Sequence, residues 1–408
     1  MKKFLIISIA LVLVAATVFS LSLYHYLGTN EDKATADEVA PTVEPTQEEK
    51  EEKKDEKSKV PAQFQDGGIF SKNYEKAYEY MQSMSKEQMV GQLIIGTCPT
   101  DDTATNTISR YALGGYFFNT DNFYMLSQEQ IKDVISSYQS TASTPMIMSV
   151  EEEGGAVTAI SDLDAFADYD FDSPRNIFEQ GGMDAINDSE TKKATMLSSV
   201  GINLNIAPVC DTAEEFTQIM YSRSLGGTIE ETAQFAQNVT NISQKKGVSV
   251  ALKHFPGYGT IPDSVESVVK DTREASSFGS RDFVPFQAGI DKGAHCVLMS
   301  NVLYENMDPT CVASLSDYIH TILRNELKFT GLIVTDNLNN ADYSEYANGK
   351  DVYVQAVLAG NDMLMVDEID SAYTAILEAV NDGTIKEEVL QKACMRVIAY
   401  KYTAGIMK

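Results

Sequence analysis

The chain has 408 residues, 43% of them hydrophobic, with 59 acidic against 32 basic side chains and a formal net charge of −27. So acidic a surface repels phosphate backbones, which excludes nucleic acid as a partner and reads first as a solvated exterior. Five cysteines without tight spacing give neither a disulfide framework nor a zinc pattern, so free thiols are expected, with Cys210 and Cys296 as small core residues.

Lys2 and Lys3 precede an uncharged, mostly apolar run over about 4–26. A bilayer core needs roughly 20 such residues, whereas a cleavable signal has an apolar core of about 7–15. A transmembrane helix is therefore expected over 4–26, with 1–3 cytoplasmic and the remainder outside the cell membrane; a cleaved signal is the alternative within 1–27. Residues 31–60 lack Tyr, Phe, Trp, Ile and Leu and hold 11 acidic and 6 basic residues. That composition cannot bury enough apolar surface to offset its ordering entropy, so 28–66 reads as a disordered acidic linker.

From residue 67 to 408 short apolar runs alternate with helical patterns. The runs are 91–96, 114–118, 145–150, 202–207, 248–252, 295–300, 332–335 and 362–366. Several lack polar alternation, the signature of strands buried on both faces of a parallel sheet. Segments such as 230–246 and 317–327 place apolar residues at three- and four-residue steps. Eight such repeats predict an α/β fold, a single-domain TIM (β/α)8 barrel. An open doubly wound sheet is disfavoured, because the glycine-rich first turn is missing. Polar residues fall at the ends of the runs: Glu151 to Glu153 after the third, Asp211 after the fourth, Lys253 and His254 after the fifth, Asn301 after the sixth, Asp336 after the seventh. A barrel gathers the C-terminal ends of its strands at one mouth, where barrel enzymes build their sites.

The stretch Leu252-Lys253-His254-Phe255-Pro256-Gly257-Tyr258-Gly259, with Asp263-Ser264 behind it, resembles the KHFPGHG…DSH signature of glycoside hydrolase family 3, particularly its β-N-acetylhexosaminidases. Glu151-Glu152-Glu153-Gly154-Gly155 resembles DQEGG, Asn203 to Asp211 resembles NxNFAPVxD, Arg223-Ser224-Leu225-Gly226 resembles RSFG, and Asp308-Pro309 through Ala313-Ser314-Leu315-Ser316 resembles DPxxPASLS. Gly331 to Leu338 resembles the nucleophile strand. The resemblance runs over about 75–405.

The resemblance implies an extracytoplasmic glycosidase that hydrolyses terminal amino-sugar residues of cell-wall-type glycans by a retaining mechanism. It makes Asp336 the nucleophile, with Lys253, His254 and Glu151 on the sugar, Arg223 on the sugar or bracing the site's carboxylates, and Asp211 orienting from behind. Read without it, Asp336 is a helix cap and Asp211 equally a turn residue. The family's acid/base histidine is replaced by Val265; its partner aspartate is present as Asp263, and Glu266 is the nearest carboxylic acid that can substitute. Tyr258 replaces another histidine, and Ala156 and Ala159 stand where these hexosaminidases usually carry arginines. These departures support a second reading, a carbohydrate-binding or scaffold barrel without turnover. A β-glucosidase type is a weaker third, since those relatives usually take the acid/base from a second domain. No metal constellation, phosphate-cradling loop or nucleophile elbow is present, and no cofactor is implied. His25, His295 and His320 read as structural.

Overall fold

The computed structural model describes residues 60–262 and 267–408. Eight parallel strands follow one another around the sheet: β1 Ile94–Thr97, β2 Gly115–Phe117, β3 Ile147–Val150, β4 Leu204–Asn205, β5 Ser249–Phe255, β6 Cys296–Met299, β7 Leu332–Thr335 and β8 Leu364–Val366. β8 pairs with β1, and a parallel bridge between Val334 and Met363 links β7 to β8, so the sheet is nearly closed. β3, β6 and β7 are buried along their whole length, as expected of strands covered by a barrel interior on one face and helices on the other.

The eight strands lie where the apolar runs predicted them, with shifted ends. The first begins at Ile94 because Gly91 and Gln92 close the helix Lys86–Gln92. A β-carbon on Gly91 would sit 1.8 Å from the Tyr111 carbonyl oxygen, so only glycine permits that approach. The helix expected over 230–246 is Ile229–Lys245, opened by a capping box in which Thr228 and Glu231 exchange hydrogen bonds. The helix expected over 317–327 is α-helical only for Asp317–Thr321 and continues as a π turn, Ile322–Glu326.

β5 runs three residues further than its apolar run, through Lys253 and His254 to Phe255. Its register against β6 shifts between Leu252 and Phe255. Such an irregularity re-aims side chains that would otherwise alternate across the sheet. The far end of β5 is fixed by Phe255, which stacks on Phe283 at 5.4 Å and meets Phe286 edge-on at 5.2 Å. A short parallel ribbon, Lys270–Asp271 with Leu303–Tyr304, braces the loops that follow β5 and β6.

One expectation is corrected. Among the described residues no helix is long and apolar enough to cross a membrane, so the described fold is a barrel without a spanning helix. The transmembrane helix expected over 4–26 lies outside the described residues, and the membrane contact and single-pass cell-membrane localisation derived from it are withdrawn. The inference rested on the length of an uncharged apolar run and the two lysines before it, properties of local sequence only. Most of the acidic linker lies outside the described residues too; at its end Val60 and Phe64 are buried and Asp66 accepts a hydrogen bond from the Tyr74 hydroxyl.

Candidate active site

The polar ends of β3, β4, β5 and β7 converge on the C-terminal mouth. Glu153, in the loop after β3, is buried and receives two cations. Arg223 donates to it from Nε at 3.0 Å and Nη2 at 2.5 Å, and Lys253 Nζ lies 2.5 Å from its Oε1. Burial alone would raise the Glu153 pKa, but Lys253 and Arg223 outweigh it and hold the carboxyl at about 2. Lys253 is fully buried and also donates to Glu151 Oε1 at 2.8 Å, which leaves one of its three N–H donors for a ligand.

His254 is fixed by Asp211. The imidazole Nδ1 lies 2.7 Å from Asp211 Oδ2, and the same carboxylate accepts the backbone N–H of His254 at 3.2 Å and of Tyr258 at 2.7 Å. Asp211 is therefore a bracket that holds the end of β5 and the loop behind it. The other ring nitrogen, Nε2, faces Arg223 Nη2 at 3.5 Å. Tyr258 packs its ring edge-on to the imidazole at 5.2 Å, and burial pushes its phenol pKa well up.

Asp336 follows β7. Its backbone N–H donates to the Met299 carbonyl at 2.8 Å, and its Oδ1 accepts the Asn337 N–H at 2.8 Å. Burial raises its pKa, with Glu151 adding to the rise and His254 and Lys253 opposing it. All three therefore act on the same carboxyl. Asn301 supports the turn: it donates to the Asn337 carbonyl at 2.8 Å and accepts from Ser314 Oγ at 2.5 Å.

Asp263 and Glu266 lie outside the described residues. The residues flanking them are held at the mouth. Pro262 forms a bridge with Gln218 beyond β4, and the Ser267 carbonyl accepts from Asn340 Nδ2 at 2.8 Å in the loop after Asp336.

Two residues were missed in the sequence. Glu153 sits inside an acidic triplet of which only Glu151 was singled out as sugar-facing. Tyr343, from the 3-10 helix Ala341–Tyr346, has a phenol pKa raised by burial and by Asp336, and nothing in the sequence marks it.

A parallel barrel gathers carboxylates, a buried lysine and an Asp–His pair at its C-terminal mouth, where barrel enzymes build their sites. The family described as glycosyl hydrolase family 3 N terminal domain matches residues 85–400, and the chain belongs to it. A β-hexosaminidase of Stenotrophomonas maltophilia (strain K279a) is 30% identical over 298 residues, 70% of this chain and 86% of that protein. A β-hexosaminidase of Idiomarina loihiensis is 26% identical over 300 residues, 71% of this chain and 88% of that one. Among solved structures, a family 3 β-N-acetylglucosaminidase from Paenibacillus sp. str. FPU-7 superposes with a TM-score of 0.73 at 26% identity, over 79% of this chain and 63% of that one. The chain thus spans less than two thirds of that protein. The β-N-acetylhexosaminidase of Beutenbergia cavernae DSM 12333 superposes with a TM-score of 0.69 at 25% identity, over 78% of this chain and 99% of that one. The chain is a β-hexosaminidase-like member of the family.

Proposed function

We propose that the chain is a retaining glycosidase acting on β-linked amino-sugar residues of cell-wall-type glycans. Asp336 attacks the anomeric carbon and forms a glycosyl-enzyme, which water then hydrolyses. Lys253, His254, Arg223 and Glu151 bind the sugar hydroxyls, and Asp211 orients His254. The observation that carries this reading is a carboxyl at the end of β7 facing a wall of buried, ion-paired donors. Glu151, Glu153, Asp211 and Asp336 outnumber the permanent cations Lys253 and Arg223, so the mouth is negative when Asp336 is ionised. A negative field suits the positive charge that builds on an oxocarbenium-like transition state.

Departure of the leaving oxygen needs a proton, and the loop bearing Asp263 and Glu266 is where the family resemblance looks for its donor. Val265 in the histidine position favours a second reading, a carbohydrate-binding barrel with impaired turnover. Aryl β-N-acetylglucosaminides with an acidic phenol separate the two. A nucleophile lacking its acid/base gives a burst of phenol and a slow steady state accelerated by azide, and Asp336→Ala abolishes the burst. If Glu266 supplies the proton, unactivated glycans are cleaved and Glu266→Gln produces the burst pattern. Absence of burst and turnover on gluco- and N-acetylhexosaminides leaves the binding protein.

A further inference from the structure

A cavity of about 300 Å³ opens beside Glu151, between the loops after β2 and β3. Glu151 forms part of its wall while accepting from Lys253 on the other side, so the cavity adjoins the sugar wall. β3 and β7 are four strands apart around a ring of eight, so this cavity lies across the mouth from Asp336. On the sugar-site reading above, a pyranose with its anomeric carbon over Asp336 points its far hydroxyls toward Glu151.

Beyond Glu151 the wall is not closed. Ala156 and Ala159 bring only a methyl group each, and Asn119, Asp121 and Thr158 supply polar atoms around the opening. Thr158 Oγ1 is buried and has no hydrogen-bond partner among the described residues, so a small shift of its side chain toward the cavity would give it one. The loop that shapes the cavity is pinned. Glu152 accepts the backbone N–H groups of Ala159, Ile160 and Ser161 at 3.1, 2.8 and 3.3 Å, and the N–H groups of Glu153 and Gly154 reach the Val157 carbonyl at 3.0 and 3.2 Å. A cavity held open in this way is a preformed site, which lowers the ordering cost of binding. Its volume equals about ten waters at ~30 Å³ each, the space of one further ring.

We propose that this cavity is a second saccharide site, taking a pyranose linked through a far hydroxyl of the ring held over Asp336. The chain then binds a disaccharide unit, and the amino sugar at the reacting position carries a further ring instead of being terminal. This rests on the sugar-site reading above and extends it.

Calorimetry in an Asp336→Asn background, which prevents turnover, tests it with N-acetylglucosamine and its β-1,4-linked disaccharide, N,N′-diacetylchitobiose. The disaccharide is expected to bind about tenfold tighter than the monosaccharide. Adding Ala156→Phe, on an exposed loop position, fills the cavity and should reduce that preference to about twofold or less while leaving monosaccharide affinity unchanged. Thr158→Val, which keeps the shape and removes the hydroxyl, should weaken only the disaccharide, by roughly three- to tenfold. Equal affinity for the two sugars overturns the second site and leaves the first. A disaccharide preference untouched by Ala156→Phe also overturns it, since the second ring then lies elsewhere. Binding of neither sugar removes the sugar-site reading itself, and the extension with it.

Discussion

Lys253 Nζ lies 2.5 Å from Glu153 Oε1, and this ion pair ties the end of β5 to the loop after β3, two strands away around the barrel. Because Lys253 is fully buried, the pair is needed more than it is stabilising: the charge cannot return to water if its partner is lost. Glu153→Gln is expected to destabilise the fold by about 3–5 kcal/mol, read as a lower urea midpoint at unchanged slope. Glu153→Asp, which keeps the charge on a shorter arm, should lose less. An unchanged midpoint for Glu153→Gln would show that the existing pair with Glu151 is enough to hold the Lys253 charge.

The same carboxyl makes stability acid-sensitive. Its pKa is held at about 2, below the ordinary 4.5, so the unfolded chain binds its proton first as pH falls. The contribution is fully present above about pH 5 and is lost as pH falls toward 2, amounting to about 3 kcal/mol. Urea titrations between pH 6 and 3 should show this decline in the native protein and a flatter profile in Glu153→Gln.

His295 acts in a higher window. It is packed between Phe70 at 5.9 Å and Tyr400 at 5.8 Å, and burial lowers its pKa from 6.5 to about 4. The folded state keeps the ring neutral while the unfolded state protonates it. Stability is therefore present above about pH 6.5 and falls as pH drops toward 4, by about 1–3 kcal/mol after allowing for partial exposure of the ring. His295→Phe should flatten thermal midpoints across that interval.

Under the mechanism proposed above, in which Asp336 attacks as the carboxylate, its raised pKa moves the acid limb of activity to higher pH than an ordinary aspartate would give. Glu151 contributes to that rise as a like charge. Glu151→Gln should therefore move the acid limb of kcat/KM to lower pH, and on the proposed sugar contact it should also raise KM. A limb that stays in place would separate Asp336 from the titration that controls the rate.

Asp211 links affinity to structure. Asp211→Asn keeps the shape but removes the charge that fixes His254 Nδ1 and the Tyr258 N–H. A loss of about 1–3 kcal/mol in stability is expected, together with weaker glycan binding. His254→Ala should weaken glycan binding more than Asp211→Asn does, if the imidazole touches the sugar itself. Calorimetry and urea unfolding on both variants check the order.

The Glu151-Glu152-Glu153 triplet shows how far the sequence could be read. Three acids after a buried strand were visible as a cluster at the mouth, but they do three different things. Glu151 faces the site and the adjoining cavity, Glu152 turns away to hold the backbone of its own loop, and Glu153 receives Lys253 and Arg223. Neighbouring residues on an irregular loop have no fixed alternation, so their directions follow from the turn at Gly154 and Gly155. Both glycines have positive φ, 103° and 65°. Lys253 and His254 pose the same problem in a strand, where the register shift before Phe255 decides which way each side chain points.

The strands, their order and the end of each strand at which chemistry gathers were determined by the sequence itself, since burial on both faces writes a mostly apolar run into four to six consecutive residues. The length of the first apolar segment was equally plain, but a run length carries no information about what surrounds it. Only the tertiary structure decided the charge pairing. Glu153 meets Arg223 across 70 residues, and Glu151 meets Lys253 across 102. Such partners are brought together by closure of the sheet, which sets a carboxylate beside a cation far away in sequence. The cavity beside Glu151 belongs to the same category: two alanines are unremarkable in a sequence, and become an opening only where the walls around them are fixed.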